Sequence, residues 1–383
     1  MLKKPIFSRG LTAILVFAAL VVALVLLTRP LSARANTLTV CPSGCQFTSI
    51  EAALSQSQPG DTVSVGPGLY HEHIWLRGGV RVQGAGADKV TLTCDSPWPA
   101  VLGYPQETAG AVIDGFTVVC DSPNSALHFD YPHEKETVSN CVVKNSTGQW
   151  HSGGIYIAFG ATPTIISNTL MGNALTDGAG GGAILVDNAA PLIRGNTFIS
   201  NTAKSGGAIA VYNGITYTAT IEDNTFIGNN TDGYCKGQAS CGGAIRNQGT
   251  MTIDNNVFSG NYTLYNGAGG VANSGSLTIL NTTFSNNTSP NNGAGGAVYH
   301  SGGLLNIANS TFWDNHSISG GAVNNHLAAL AVLNSTFSGN SATYGGGINS
   351  QDGTVTIVNT TIFSNSATTG GGINHTGGSM VLT

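Results

Sequence analysis

At 383 residues the chain has room for two or three ordinary domains. It carries 14 basic and 19 acidic side chains, and five of the basic ones fall before residue 36, so the rest of the chain holds ten more acidic than basic groups. That balance disfavours nucleic acid as a partner.

Lys3, Lys4 and Arg9 precede an apolar stretch from Leu11 to Leu27, and Ala33 and Ala35 put small residues where a signal peptidase reads. Residues 1–35 are expected to be a signal peptide cut between Ala35 and Asn36. The competing reading is an uncleaved anchor, because the apolar stretch sits at the lower limit for crossing a bilayer. Either way the remainder is exported, to the medium, the cell surface or an outer membrane. Membrane association is expected only through this segment or through an anchor beyond the C-terminus.

Residues 36–383 are expected to form one body: a cap over 36–61, irregular turns over 62–151 and regular repeats over 152–383. In the cap, Phe47, Ile50 and Leu54 have helical spacing, Ser49 is the N-cap and Pro59-Gly60-Asp61 stops the helix before a strand at Thr62–Val65. Seven cysteines follow in an exported chain, so disulfides are permitted. Cys41 with Cys45 and Cys235 with Cys241 would close short loops. Cys94, Cys120 and Cys141 lie 26 and 21 residues apart, close enough to one repeat to stack, and the odd count leaves one thiol unpaired. Zinc is the alternative, but no four ligands show finger-like spacing.

In the irregular turns His71-Glu72-His73 puts two imidazoles on one strand face, as metal ligands would be. The charged stretch Asp121 to His151 is the segment most like a ligand site, with His128, Asp130, His133, Glu134 and the Trp150-His151 pair as candidate contacts. An exposed loop of solvated charges is the other reading.

From Ile165 onward one phrase recurs eight times: an aliphatic residue, a short polar residue two on, Phe three further, and Asn three beyond. Ile279-x-Asn281-x-x-Phe284-x-x-Asn287 is one clear copy. The Phe-type positions run 170, 198, 226, 258, 284, 312, 337 and 362, at intervals of 25 to 32 residues. Gly-Gly-Ala-aliphatic phrases at Gly181, Gly206, Gly242, Gly295 and Gly320 alternate with them. A fixed period of this size signals a solenoid. Ile, Val, Thr and Phe dominate and no 3.6-residue apolar period is sustained, so the units are strands.

The fold expected is all-β: a right-handed, single-stranded parallel β-helix of eleven or twelve turns with a short capping helix, roughly 55 Å long at about 4.8 Å per turn. A β-propeller needs about forty residues per repeat. Phe198, Phe226, Phe258, Phe284, Phe312 and Phe337 are expected to stack inside. Asn255, Asn281, Asn309, Asn334 and Asn359 are expected at the bends as an asparagine ladder, since Asn tolerates the left-handed conformation.

The opening residues carry a likeness. Phe47-x-Ser-Ile-x-x-Ala-Leu, then Pro59-Gly-Asp-Thr-Val-x-Val-x-Pro-Gly-x-Tyr70-x-Glu72 and Val82-x-Gly84-x-Gly86, resemble the start of pectate-lyase-like β-helix proteins. The Gly-Gly-Ala and Phe-x-x-Asn phrases resemble the repeats of chlamydial polymorphic outer membrane proteins. The first resemblance implies either a polysaccharide lyase or hydrolase, or one of the superfamily's many binding proteins.

In related enzymes, acid/base groups stand outward on the strand that here follows Gly-Gly. That column, Leu185, Ala210, Arg246, Ala272, Tyr299, Asn324, Asn349 and Asn374, contains no acid, and Asp187 beside it lacks a partner. In the next column His300 and His375 occupy places otherwise filled by Asn or Ser and are read as ladder members. Glu222, Asp223 and Asp254 share a face near Arg194; calcium is the ion such a group would suit, against an Arg194–Glu222 salt bridge.

No catalytic residue and no required cofactor are therefore expected, and the main expectation is adhesion, surface display or contact with glycans or with host or neighbouring cells. The alternative is a polysaccharide lyase or glycoside hydrolase with its site among residues 121–151. The chain stops at Thr383 inside a repeat, so further turns and an anchor are expected to follow.

Overall fold

The computed structural model describes residues 35–94, 97–103, 110–121, 123–132, 135–214, 216–231 and 241–383. The expected signal segment, His133, Glu134 and Cys235 with its bridge to Cys241 lie outside the described residues. Among the described residues no helix is long and apolar enough to cross a membrane. By their contacts residues 37–383 form one unit.

This unit is a right-handed parallel β-solenoid of about 12 turns. Each turn contributes three main strands, for example Thr250–Asp254, Val257–Ser259 and Val271–Asn273. Every strand pairs in parallel with its counterpart one turn on, so Ile253 lies beside Ile279 and Phe258 beside Phe284. Side chains alternate in and out along each strand. Met251, Ile253 and Phe258 therefore point inward and are fully buried, while Thr252 and Asp254 face out.

Phe198, Phe226, Phe258, Phe284, Phe312 and Phe337 form one internal column with ring centroids 4.5 to 4.9 Å apart and planes within 8° of parallel. Strand spacing imposes that distance. Trp313, next to Phe312, points outward and is 44% exposed.

The bends divide two jobs between adjacent residues. Asn255, Asn281, Asn309, Asn334 and Asn359 all have positive φ, between 45° and 52°. Their amides lie on the outside, where Asn359 donates to Asn334 at 2.7 Å and Asn255 and Asn281 donate to Asp223 and Asp254. The buried ladders are built by other residues. Asn168, Asn196, Asn224 and Asn256 each stand one place after a positive-φ residue, and Asn168 donates to Asn196, Asn196 to Asn224 and Asn224 to Asn256, side chain to side chain at 3.0 Å. Thr282, Ser310 and Ser335 continue that column with hydroxyls.

The Asn of Phe-x-x-Asn forms the longer ladder, from Asn173 through Asn201, Asn229, Asn261, Asn287, Asn315 and Asn340 to Asn365. Each amide also donates to a backbone carbonyl of the preceding turn, as Asn261 does to Phe226. The expected ladder of bend asparagines is present on the outside, where Asn309 donates to Asn281, Asn334 to Asn309 and Asn359 to Asn334 at 2.7 to 3.4 Å. The sequence expectation did not include the buried ladders, which belong to neighbouring residues whose side chains turn inward.

A third buried column on the strand after Gly-Gly runs Asn247, Asn273, His300, Asn325 and Ser350. His300 Nε2 donates to the Ala329 carbonyl at 3.0 Å, leaving Nδ1 to accept from Asn273 at 2.9 Å, so the ring is neutral.

The N-terminal edge is closed by the helix Ile50–Gln56. Ser49 Oγ accepts from the Ala52 amide, and the Glu72 carboxylate takes the Ile50 and Glu51 amides and the Ser49 hydroxyl at 2.7 to 3.2 Å. Glu72 thus satisfies free helix amides from the neighbouring turn, which is a structural role and not that of a metal ligand between His71 and His73. Disulfides join Cys41 to Cys45 and Cys94 to Cys120, and Cys141 is a buried free thiol, with burial pushing its pKa up to about 12.

Candidate functional site

The outward column that holds Leu185, Ala210 and Arg246 continues backward through the Gly153-Gly154 turn and then through turns that lack Gly-Gly. Its earlier members are Trp75, Leu102, His128 and Tyr156, paired in parallel one after another. The strands concerned are Ile74–Trp75, Val101–Leu102, Leu127–Phe129 and Ile155–Ala158. The chemistry absent from 185 onward is here.

His128 Nε2 lies 3.1 Å from Asp130 Oδ2, and His128 Nδ1 is buried without a hydrogen-bond partner. Tyr156 stands one turn on from His128, its ring edge-on to the imidazole at 4.7 Å. His151 stacks on Tyr156 at 4.1 Å and is itself edge-on to His128 at 5.6 Å, so the three rings form one cluster. Ala158 pairs with Asp187 in the following turn, so the place of Asp187 is two turns along from that of Asp130. Two strand spacings put their backbones roughly 9–10 Å apart. Tyr156 lies within electrostatic reach of both carboxylates.

Burial, and then the charges of Asp187 and Asp130, push the Tyr156 phenol up to about 12, so it stays a neutral donor. Burial also raises the Asp187 pKa above the usual carboxylate range, against a lowering hydrogen bond from Asn188. The His151 pKa is lowered by burial and then by His128. The cluster therefore offers one carboxyl whose pKa is raised by burial, a second carboxyl group paired with an imidazole, and a phenol in the intervening turn.

Beside the cluster opens a cleft of about 250 Å³. Trp75, Trp98 and Tyr131 supply its aromatic lining and Asn124, His128 and Asp130 its polar lining. Trp98 is 55% exposed. No Arg or Lys lines the cleft among the described residues.

Of the candidates named from the sequence, the structure brings His128, Asp130 and His151 together. It leaves Trp150 on the surface, 62% exposed. Tyr156, Asp187, Trp75 and Trp98 were missed or set aside. The Ala-aliphatic pairs Ala100-Val101 and Ala126-Leu127 were the available signal. They keep the place of Gly-Gly-Ala-aliphatic without its glycines, and Trp75, Leu102, His128 and Tyr156 keep the repeat spacing.

The acidic group farther along is committed elsewhere. Arg194 Nε pairs with Asp223 at 3.0 Å and not with the expected Glu222, Asn255 donates to Asp223, and Asn281 donates to Asp254. Among the described residues no three His, Cys, Asp or Glu side chains are grouped to hold a metal ion.

Residues 108–240 match the family model described as a right-handed beta helix region. The catalytic unit of a thermostable GH87 alpha-1,3-glucanase from Streptomyces thermodiastaticus strain HF3-3 aligns with a TM-score of 0.55 at 16% identity, over 92% of this chain and 70% of that one. A mannuronic acid specific family 6 polysaccharide lyase from human gut microbiota aligns at 0.45 and 10% identity, over 89% of this chain and 83% of that one. For the polygalacturonase of Erwinia carotovora the values are 0.35 and 11%, over 92% and 99%. No curated protein matches the sequence. Likeness at these identities is likeness of fold, which hosts many chemistries, and function has to be argued from the side chains.

Proposed function

We propose that this protein is an exported polysaccharide-cleaving enzyme of the glycoside hydrolase type, with its site at Asp130, Tyr156 and Asp187. The observation that carries this reading is the placement of two carboxyl groups two turns apart on one outward face with a phenol between them. Hydrolysis with inversion uses two carboxyls about 6.5–9.5 Å apart, one protonating the leaving oxygen and the other activating water. Asp187, with its raised pKa, suits the acid. Asp130, paired with His128, suits the base, and Tyr156 can donate a hydrogen bond to the sugar between them. Trp98 and Tyr131 present aromatic surface on which pyranose faces can lie.

A neutral glycan fits this cleft better than a uronate. Lyase chemistry must neutralise the substrate carboxylate, and the described lining has no Arg or Lys while placing an aspartate there. Export is supported by the two disulfides, which persist in oxidising compartments.

The test is turnover of neutral α- and β-glucans beside pectate and alginate. Asp187→Asn and Asp130→Asn should each lower kcat/KM by about 100- to 10,000-fold with the fold intact. Activity should fall on the alkaline side as Asp187 loses its proton, and the first product should carry the inverted anomer. A protein that binds glycans but turns over none, or full activity in Asp187→Asn, would return the reading to adhesion or glycan binding.

A further inference from the structure

We infer that the protein carries a second glycan site, one that binds without cleaving, in the pocket lined by Tyr344, Asn349, Gln351 and Asn374, and that its ligand is a neutral polysaccharide. The inference stands independently of the site proposed above. The pocket has a volume of about 290 Å³, and Ser319 and Thr376 complete its lining. Asn349 and Asn374 belong to the same outward column as Leu185, six and seven turns further on. Strand spacing puts them roughly 30 Å beyond Leu185.

The column changes character here. From Asn324 on it is all amide: Asn349 Nδ2 donates to Asn324 Oδ1 and Asn374 Nδ2 to Asn349 Oδ1, both at 2.7 Å. Asn349 is held by both neighbours and is 7% exposed, so its orientation is set before any ligand arrives. Among the described residues the Asn374 carbonyl accepts no hydrogen bond. The same holds for the side-chain amide of Gln351, the next outward residue after Asn349 on the strand Ile348–Val358.

Tyr344 is the other departure from the repeat. It ends the strand Ser341–Tyr344, directly before Gly345 with its φ of 64°, and the turns on either side hold Ser319 and Thr369 in its place. The ring lies outside the core, 47% exposed.

These groups define the ligand class. The described lining contains no charged side chain, so nothing in it would pair with a phosphate, a uronate or a cation. It offers amides and hydroxyls that donate and accept, as sugar hydroxyls do, together with one exposed aromatic ring for a pyranose face. No carboxyl or imidazole is there to move a proton, which separates binding from cleavage. The volume lies at the lower end for small-ligand sites and suits one or two units of a longer chain.

Retardation of the full chain in native gels containing soluble neutral glucan, mannan or galactan tests this, with alginate and pectate as charged comparators. Asp187→Asn is carried in every protein so that turnover does not erode the polysaccharide. At least one neutral polysaccharide should retard the protein, and the two polyuronates should not. Tyr344→Ala should weaken that binding about 10-fold and Gln351→Ala several-fold, with thermal melts unchanged. Tyr344→Phe, which keeps the ring, should stay close to the parent. Equal retardation of Tyr344→Ala and its parent, no retardation by any neutral polysaccharide, or equal binding to the polyuronates overturns the site. Turnover of a glycan by the wild type with no effect of Tyr344→Ala on binding removes this inference and leaves the hydrolase reading standing; binding through Tyr344 without turnover does the reverse. Should Tyr344→Ala fail to fold, Gln351→Ala decides.

Discussion

Histidine 300 replaces an amide within a fully buried polar column, and the replacement has a pH signature. Its pKa is lowered to about 4, chiefly by burial, against hydrogen bonds at Ala329 and Asn273 that act the other way. The unfolded chain takes up a proton near pH 6.5 while the folded one does not until about 4, so stability is flat above 6.5 and falls as the pH drops between those values. The loss should total roughly 3 kcal/mol. His300→Asn, matching Asn273 and Asn325, should abolish that slope in urea titrations run from pH 7 to 4; an unchanged slope would place the acid sensitivity elsewhere.

The two kinds of asparagine should also separate. Asn261 accepts from Asn229 and donates to Phe226 and Asn287, all within the core. Asn261→Ala orphans several buried groups at about 1–3 kcal/mol each. Asn309→Ala, on the exposed column, should cost well under half as much by denaturant melts, and equal losses would mean that the inner ladder is not special.

At the scale of the element, each strand is short and its face is dictated by alternation. That makes Phe284→Ala a deletion inside a continuous aromatic column, expected to cost about 3–5 kcal/mol. Trp313→Ala, on an outward place beside Phe312, should cost far less, and thermal melts that move both equally would contradict the observed facing. Strands and their order were legible because Phe-x-x-Asn and Gly-Gly-Ala repeat in phase from residue 152. Legibility failed where the marker changed while the structure did not. Before Gly153 the strand entry reads Ala100-Val101 or Ala126-Leu127, which fits the same close turn without paired glycines. The outward column was therefore read only from Leu185, and Asp187 looked solitary because its partner Asp130 lay in turns judged irregular.

For the molecule as a whole, hydrophobic period decided the architecture. The capping helix followed from Ser49 and the spacing of Ile50 and Leu54, although the larger cap, Glu72 from the adjoining turn, cannot be inferred from local sequence. The contact of Tyr212 with Ser205 was equally illegible, since a tyrosine at a strand end says nothing about folding back over its own strand. What a sequence period reports is the repeated part, and the candidate site straddles its edge, with His128 and Asp130 in turns without the Gly-Gly entry and Tyr156 and Asp187 in turns that have it.

The continuous amide ladder has a consequence for descent. Because each Asn between Asn201 and Asn340 donates to the turn after it and accepts from the turn before, any two such turns present the same faces. Length in this part of the molecule is thus a copy number. Unequal crossing-over between repeats could add or remove a turn without new chemistry at the join, whereas the stretch from Trp75 to Tyr212, where each turn carries a different outward residue, tolerates no such exchange. One gene would then hold two tempos of change: an elastic array, and a stretch of non-equivalent turns that can vary only residue by residue.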